Sequence, residues 1–143
     1  MYRYFAVPFL FACLVAAAAG SAEEPKKAAE PQLQLAHAPA AARDRRNPYN
    51  GRPEAVQAGK LLFDRHCAQC HGADARGRGK APDLRCDSIR QAPPGALFWV
   101  LKNGDLKEGM PALSSLPDQR LWQLVSFLQS KEVSETDAKR IAH

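Results

Sequence analysis

The apolar residues in the second half of the chain recur at the spacing of helix faces rather than of strands. The clearest set falls at i, i+3, i+4 and i+7: Leu121, Leu124, Val125 and Leu128. We expect this helix to begin with Ser115 as its N-cap, Pro117 just inside it and Asp118 three residues after the cap. No alternating strand pattern appears along the sequence, so we predict an all-α fold.

Two further helices are predicted before this one. The first begins near Pro53, a residue tolerated in a first turn, and ends near Cys67. Its inward side carries three apolar residues and a lysine stem: Val56, Lys60, Leu62 and Phe63. Gly59 lies in the middle of this helix, where it costs up to about 1 kcal/mol of helix stability relative to Ala. A glycine at such a position is typical of a place where another backbone approaches closely. The second covers about 94–102 and stops at Asn103-Gly104. Its inward residues are Leu97, Val100 and Leu101.

The N-terminus has the composition of a secretory signal. Arg3 supplies a short positive region, residues 5–19 form an uncharged apolar run, and Gly20-Ser21-Ala22 provides the small residues that a signal peptidase needs. We expect cleavage after Ala22 and a periplasmic mature protein. The alternative is that this segment is not cleaved and remains as an anchor. We expect contact between the protein and a membrane only in that case. The apolar run is short of the roughly 20 residues that span a bilayer.

The rest of the 143-residue chain divides into three parts. Residues 23–50 are rich in Ala, Pro, Glu and Lys without a sustained apolar period, which predicts a flexible linker. Residues 51–130 form the predicted domain, and residues 131–143 form a polar tail. A domain of roughly 80 residues has a marginal core and usually needs a staple or a cofactor.

The motif Cys67-Ala68-Gln69-Cys70-His71 predicts which cofactor this is. Two thiols at this spacing can form thioether bonds with the two vinyl groups of one haem, and the next residue, His71, is then the proximal iron ligand. Zinc would need two further ligands at suitable spacing, and a thioredoxin-like thiol pair would need a βαβ context. We therefore predict one covalently attached haem c. Cys13 is removed with the predicted signal, so Cys86 is the one cysteine left over, and it is either buried or paired between chains.

A second axial ligand is expected at Met110, in Gly109-Met110-Pro111. It is the only methionine after Met1. The flanking glycine and proline favour an irregular turn that can point the thioether inward. The alternatives are a gap-filling core methionine at this position and competing histidine ligands: His37, His66 and His143.

Together these residues resemble the class I cytochrome c family, over about Gly59 to Gln129. The resemblance implies three or more helices wrapped around one haem, with the first and last helices crossing closely at Gly59. It also implies that the carbonyl of Pro82 accepts the ring N–H of His71. Trp99 is implied as a propionate or pocket partner, with plain core as the alternative.

The predicted function is one-electron transfer, without enzyme activity, because the sequence offers no acid–base pair. The resemblance further suggests a quinoprotein dehydrogenase as electron donor and a terminal oxidase as acceptor. A haem-bearing subunit of a larger dehydrogenase or oxidase, and a haem enzyme or gas sensor with an open sixth position, remain alternatives.

Charge adds an expectation about docking. The net charge of +5 falls to +4 once Arg3 leaves with the signal, and it is spread too evenly to predict nucleic-acid binding. Basic residues flank the haem motif and predict an acidic docking surface on the redox partner, with an ordinary solvated face as the alternative: Arg65, Arg76, Arg78 and Lys80.

Overall fold

A computed structural model describes residues 35–130, so the predicted signal, the first part of the linker and the C-terminal tail lie outside it. This part of the chain is helical and contains no β-strand, as predicted. Its six helices are α1 (Ala40–Arg43), α2 (Pro53–His66), α3 (Ala68–His71), α4 (Asp87–Arg90), α5 (Pro94–Asn103) and α6 (Asp118–Leu128). Within residues 35–130, none of the helices has the length and apolarity to cross a membrane.

The core forms where α2 crosses α6. Gly59 of α2 lies so close to α6 that an added Cβ would overlap the carbonyl oxygen of Gln123 and would lie 2.8 Å from Cβ of Phe127. The rings of Phe63 and Phe127 meet beside this point, with centroids 5.3 Å apart. The close crossing implied for Gly59 is therefore confirmed, and a side chain there would force the two helices apart.

Helices α2 and α5 have the predicted bounds within one residue. The buried face of α2 consists of Ala55, Gly59, Leu62 and Phe63, while Val56 and Lys60 are half-buried at its edge. In α5 the three residues predicted to face inward are buried, and Gly104 follows the last turn with a positive φ of 69°. Only glycine adopts that conformation without strain, which ends the helix there.

Helix α6 begins later than predicted. It starts at Asp118 with Pro117 in the N-cap position, and Ser115 makes no cap hydrogen bond. The prediction of a Ser115 cap is wrong because it requires Leu116 to be helical, and the ring of a following proline disfavours that conformation. The N-terminus of α6 is instead neutralised by the carboxylate of Asp118, which is also paired with Lys102 at 2.9 Å.

The second half of the predicted linker is packed against the domain, which corrects that prediction. Ala38 is fully buried, and α1 lies against α5 so closely that a Cβ on Gly95 would overlap the carbonyl oxygen of Ala42. The composition predicted a flexible segment because alanine packs through its backbone and small side chain. Such packing does not require large apolar residues at a regular spacing in the sequence. We call residues 35–50 the N-terminal strap.

Candidate haem site

A cavity of about 510 Å3 is lined by residues of α2, α3, α4, α5 and α6 and of two loops. This volume lies within the range of about 300–1,000 Å3 that is usual for ligand sites. Its walls are mainly apolar and include Phe63, Leu84, Ile89, Leu97, Val100, Leu101, Leu113 and Leu128. The side chains able to bind a haem covalently or through its iron line the same cavity: Cys67, Cys70, His71 and Met110.

One helical turn places the haem-motif residues together. Helix α2 ends where the N–H of Cys67 donates to Phe63, and α3 then continues with the N–H of His71 donating to the carbonyl of Cys67 at 2.9 Å. Gly72, with φ of 76°, ends α3 directly after the histidine. Neither thiol is in a disulfide, and burial, reinforced by the nearby Cys70, raises the pKa of Cys67 to about 12.

The ring of His71 is oriented by the loop that follows it. Its Nδ1 lies 3.1 Å from the carbonyl oxygen of Pro82, so Nδ1–H donates to that carbonyl and the other ring nitrogen, Nε2, is left as the iron-binding atom. Burial lowers the pKa of His71, and the bond to Pro82 opposes this shift. Burial therefore favours the neutral imidazole, which is the form that binds metals. The hydrogen bond implied by the resemblance is present.

Met110 is presented by a turn after α5. It is half-buried, and its backbone exchanges two hydrogen bonds with Asp105, at 2.8 and 2.9 Å. Of the competing histidines, His66 also lines the cavity but is exposed beside Cys67. His37 is exposed and does not line the cavity, and His143 lies outside the described residues.

Trp99 is placed away from the cavity, which corrects its assignment as a pocket partner. The cavity-facing residues of α5 are Leu97, Val100 and Leu101, and Trp99 is not among the lining residues. At 3.6 residues per turn it lies about 200° around the helix from Leu97. It is half-buried, and its carbonyl accepts the side-chain amide of Asn103 at 2.8 Å.

Cys86 is also away from the cavity. It is half-buried against the core, and its Sγ lies 3.3 Å from the carbonyl oxygen of Asp83 and 3.0 Å from Oγ of Ser88. The structure therefore separates this thiol from the two of the haem motif. The partial burial agrees with the first of the two roles considered for it.

The cavity fits a c-type haem better than it fits a metal ion alone. Within residues 35–130, no group of three or more His, Cys, Asp or Glu side chains is arranged to hold a metal ion, so a zinc site has no support there. A c-type haem needs two thiols, a histidine nitrogen and a large apolar space, and this cavity provides all three. A methionine sulfur completes the usual ligand set.

Sequence reasoning missed several wall residues. Arg78 and Lys80 line the cavity, although the sequence suggested only a docking role for them. Glu108 and Leu35 also line it. In the sequence, the charged wall residues cannot be distinguished from the charged residues of an ordinary solvated surface. Leu35 lies in a segment that was predicted to be flexible. No local sequence signal therefore identified these residues.

A small helical domain whose cavity is lined by a Cys-x-x-Cys-His motif and a methionine is a c-type cytochrome. The family profile described as cytochrome c oxidase, cbb3-type, subunit III matches residues 54–128, which is more than half of the chain. The chain therefore belongs to this family of cytochrome c domains. Membership implies a covalently bound c-type haem with its iron.

Characterised relatives agree with this assignment. The chain is 33% identical to cytochrome c550 of Pseudomonas aeruginosa over 96 residues, which are 63% of this chain and 65% of the relative. It is 35% identical to the quinohemoprotein alcohol dehydrogenase ADH IIB of Pseudomonas putida over 109 residues, 73% of this chain but 16% of that enzyme. The chain thus spans just under two thirds of the first relative and a small part of the second.

A solved structure supports the fold. Cytochrome CL from the marine methylotrophic bacterium Methylophaga aminisulfidivorans is similar with a TM-score of 0.52 and 22% sequence identity. The similarity covers 88% of this chain and 84% of the other.

Proposed function

We propose that this protein is a one-electron carrier with a single haem c, bound through thioethers to Cys67 and Cys70 and ligated by His71 and Met110. The observation that carries the proposal is that these four side chains line one apolar cavity. The haem supplies the redox chemistry when it is bound. The chain's own contribution is to hold and orient the ligands and to limit the access of water.

Each side of the cavity contributes differently to that role. The Pro82 carbonyl holds the His71 ring at 3.1 Å and makes the imidazole a stronger electron donor. A methionine ligand favours the reduced state and raises the reduction potential. The apolar walls act in the same direction because a low local dielectric disfavours the additional charge of the oxidised state.

The covalent attachment is tested by denaturing electrophoresis. We expect haem colour to remain with the polypeptide, and a Cys67→Ala, Cys70→Ala double variant to lose the colour and fail to fold. Cys86→Ala is the matched control, since this thiol lies outside the cavity, and it should remain coloured. Colour that separates from the unmodified protein under denaturation would contradict the proposal.

The working place we propose is the periplasm, with a quinoprotein dehydrogenase as donor and a terminal oxidase as acceptor. The signal-like N-terminus supports export, the relative named quinohemoprotein alcohol dehydrogenase supports the donor, and the family description supports the acceptor. A pull-down from periplasm, with identification of the captured protein, tests the partners. Recovery of the protein only from the cytoplasm would contradict this placement.

A second candidate function is that of a haem-bearing subunit. It is favoured by the match to a segment that is 16% of a larger quinohemoprotein enzyme. Gel filtration of native extracts separates the two candidates, because a subunit travels with its enzyme whereas a free carrier elutes near the 15.7 kDa of the full chain or below it.

Docking is proposed to use the basic rim of the cavity. Arg78 and Lys80 are exposed and line the cavity, and Arg65 is exposed nearby in sequence, whereas Arg76 is 3.8 Å from the carboxylate of Asp74. Charge steering raises association rates without a large interface, so we expect an acidic surface on the partner. Electron transfer should then slow as salt shortens the Debye length below about 10 Å.

Charge reversal tests the same surface. Arg78→Glu with Lys80→Glu should reproduce the slow rate at low salt. Arg65→Glu should also slow the rate while leaving the haem spectrum unchanged, because Arg65 is exposed and does not line the cavity. The control is Arg120→Glu, an exposed arginine of α6 that does not line the cavity. A rate that responds to neither salt nor these substitutions would indicate apolar docking instead.

A further inference from the structure

One wall of the haem cavity comes from outside the part of the chain that matches the family. Leu35 is half-buried, packs against the hydrophobic core and lines the cavity together with Cys67 and His71. The family match begins at residue 54, so this contact comes from the N-terminal strap and not from the segment that the family profile matches. The apolar side chain of Leu35 therefore forms part of the cavity wall.

The backbone beside Leu35 is held by a single guanidinium. Arg43 donates from Nε to the carbonyl of Ala38 at 2.7 Å and from Nη2 to the carbonyl of Ala36 at 3.0 Å. The N–H of Ala38 donates to the carbonyl of Leu35 at 3.3 Å, and Ala38 itself is fully buried. These bonds fix the turn that presents Leu35 to the cavity.

The other end of the strap is anchored on α5 and α6. The Arg45 guanidinium lies 4.2 Å from the ring centroid of Phe98 and 5.2 Å from that of Trp122, and 3.6 Å from the carboxylate of Asp118. The Asn47 amide donates to the carbonyl of Trp122 at 3.1 Å and to a serine hydroxyl of α6. None of these anchoring residues lines the cavity.

We propose that the N-terminal strap is a fixed wall of the haem cavity, anchored at Arg45 and Asn47, and that Leu35 shields the haem from water and thereby raises its reduction potential. The inference rests on the proposed haem binding. Its physical basis is that exclusion of water lowers the local dielectric, which disfavours the more highly charged oxidised haem. Leu35 thus shields the redox centre directly, and Arg45 is a positioning residue that acts through it.

The test compares reduction potentials, measured by spectroscopic redox titration, in three variants. Leu35→Ala should lower the potential because it removes the shield. Arg45→Ala should also lower it, although Arg45 is remote from the cavity, because the strap loses its anchor. Leu61→Ala is the matched control, since this leucine of α2 is 69% exposed and does not line the cavity, and its potential should equal that of the unmodified protein.

A double variant separates this mechanism from general destabilisation. In the Leu35→Ala background, Arg45→Ala should produce little further shift, because both changes remove the same shield and their effects are coupled. A melting temperature lowered by Arg45→Ala with an unchanged potential would overturn the inference and leave the strap a purely structural brace. Equal potentials in Leu35→Ala and Leu61→Ala would overturn it as well.

The failure of this inference is distinguishable from failure of the proposed function. If the unmodified protein carries no haem through denaturing electrophoresis, the proposed function fails first. If every variant keeps its covalent haem and the far-red iron–methionine band but all potentials agree, the strap inference alone fails.

Discussion

The two loops that bring ligands to the cavity differ in how firmly they are held. The loop after His71 is tied back onto itself: the N–H of Gly77 donates to the carbonyl of His71 at 2.8 Å, and the N–H of Leu84 donates to that of Ala75 at 2.9 Å. Ala75 is 1% exposed. The turn that carries Met110 is more open, and its Leu106 is 81% exposed.

The turn around Met110 is held mainly by backbone bonds at its base. Asp105 and Met110 exchange hydrogen bonds, and the N–H of Leu113 donates to the carbonyl of Leu101 at 2.9 Å. Few side chains cover it. We infer that changes on the histidine side should strongly affect both the fold and the redox centre, whereas changes on the methionine side should affect mainly the redox centre.

The largest expected effect contrasts the two axial residues. Met110→Ala should leave a folded, coloured protein that has lost the far-red iron–methionine band, binds CO and has a potential lower by on the order of 100 mV, given the wide range that axial ligands command. His71→Ala should prevent assembly of a stable haem protein, because the proximal ligand and its bond to Pro82 are both lost. Optical spectra, redox titration and circular dichroism measure these outcomes.

Two results would contradict this contrast. A Met110→Ala spectrum identical to that of the unmodified protein would assign Met110 to the core and restore the open-site alternative. Unfolding of Met110→Ala to the same extent as His71→Ala would show that the two sides of the cavity are equally important for the fold.

A smaller effect is expected from a matched pair of glycines. Gly77 and Gly109 both have positive φ, of 81° and 85°, so alanine costs about 1–2 kcal/mol at each on backbone grounds. At Gly77 the added Cβ would also overlap the carbonyl oxygen of Ala81 and lie 2.7 Å from the carbonyl carbon of Pro82, whereas nothing lies within 4 Å at Gly109.

We therefore expect Gly77→Ala to lower the free energy of unfolding by about 1–3 kcal/mol more than Gly109→Ala, because the clash forces the backbone to shift. It should also perturb the His71 environment, which the histidine ring resonances in proton NMR report. Denaturant titrations of the two haem-loaded variants measure the difference. Equal losses of unfolding free energy would mean that the loop after His71 accommodates the added Cβ as easily as the turn around Met110 does.

The smallest expected effect is the loss of stability at low pH when Asp83 is protonated. The hydrogen bond from Arg85 is the main cause that lowers the pKa of Asp83 in the histidine-side loop, against an opposing effect of burial. A carboxylate with a lowered pKa in the folded state stabilises the fold above its unfolded pKa, and this stabilisation is lost as the pH falls through the folded pKa.

Between about pH 6 and pH 3, the unmodified protein should lose more unfolding free energy than Asp83→Asn, by about 0.2–1 kcal/mol because the pair is partly exposed and screened. Denaturant titrations at the two pH values measure this. Added salt should reduce the difference. Parallel pH profiles for the two proteins would mean that the Asp83–Arg85 pair does not stabilise this loop.

Much of the domain could be predicted from local patterns. The spacing of apolar residues identified α2, α5 and α6, since a helix face repeats within four residues and leaves its mark on the sequence. The haem motif was recognisable for the same reason, because one helical turn suffices to bring Cys67, Cys70 and His71 to one cavity. Met110 was identifiable as a candidate ligand because it is the only methionine after Met1, and the other candidates for the same role were histidines.

What only the tertiary structure decided depends on contacts between distant segments. The strap is ordered because Arg45 and Asn47 meet residues of α6 more than 70 positions away, and no local pattern records such a meeting. Trp99 does not line the cavity because α5 is rotated to present Leu97 and Leu101 there. Sequence periodicity determines which elements form, whereas their mutual packing determines which side chains reach the cavity, because only packing fixes the distances between segments far apart along the chain.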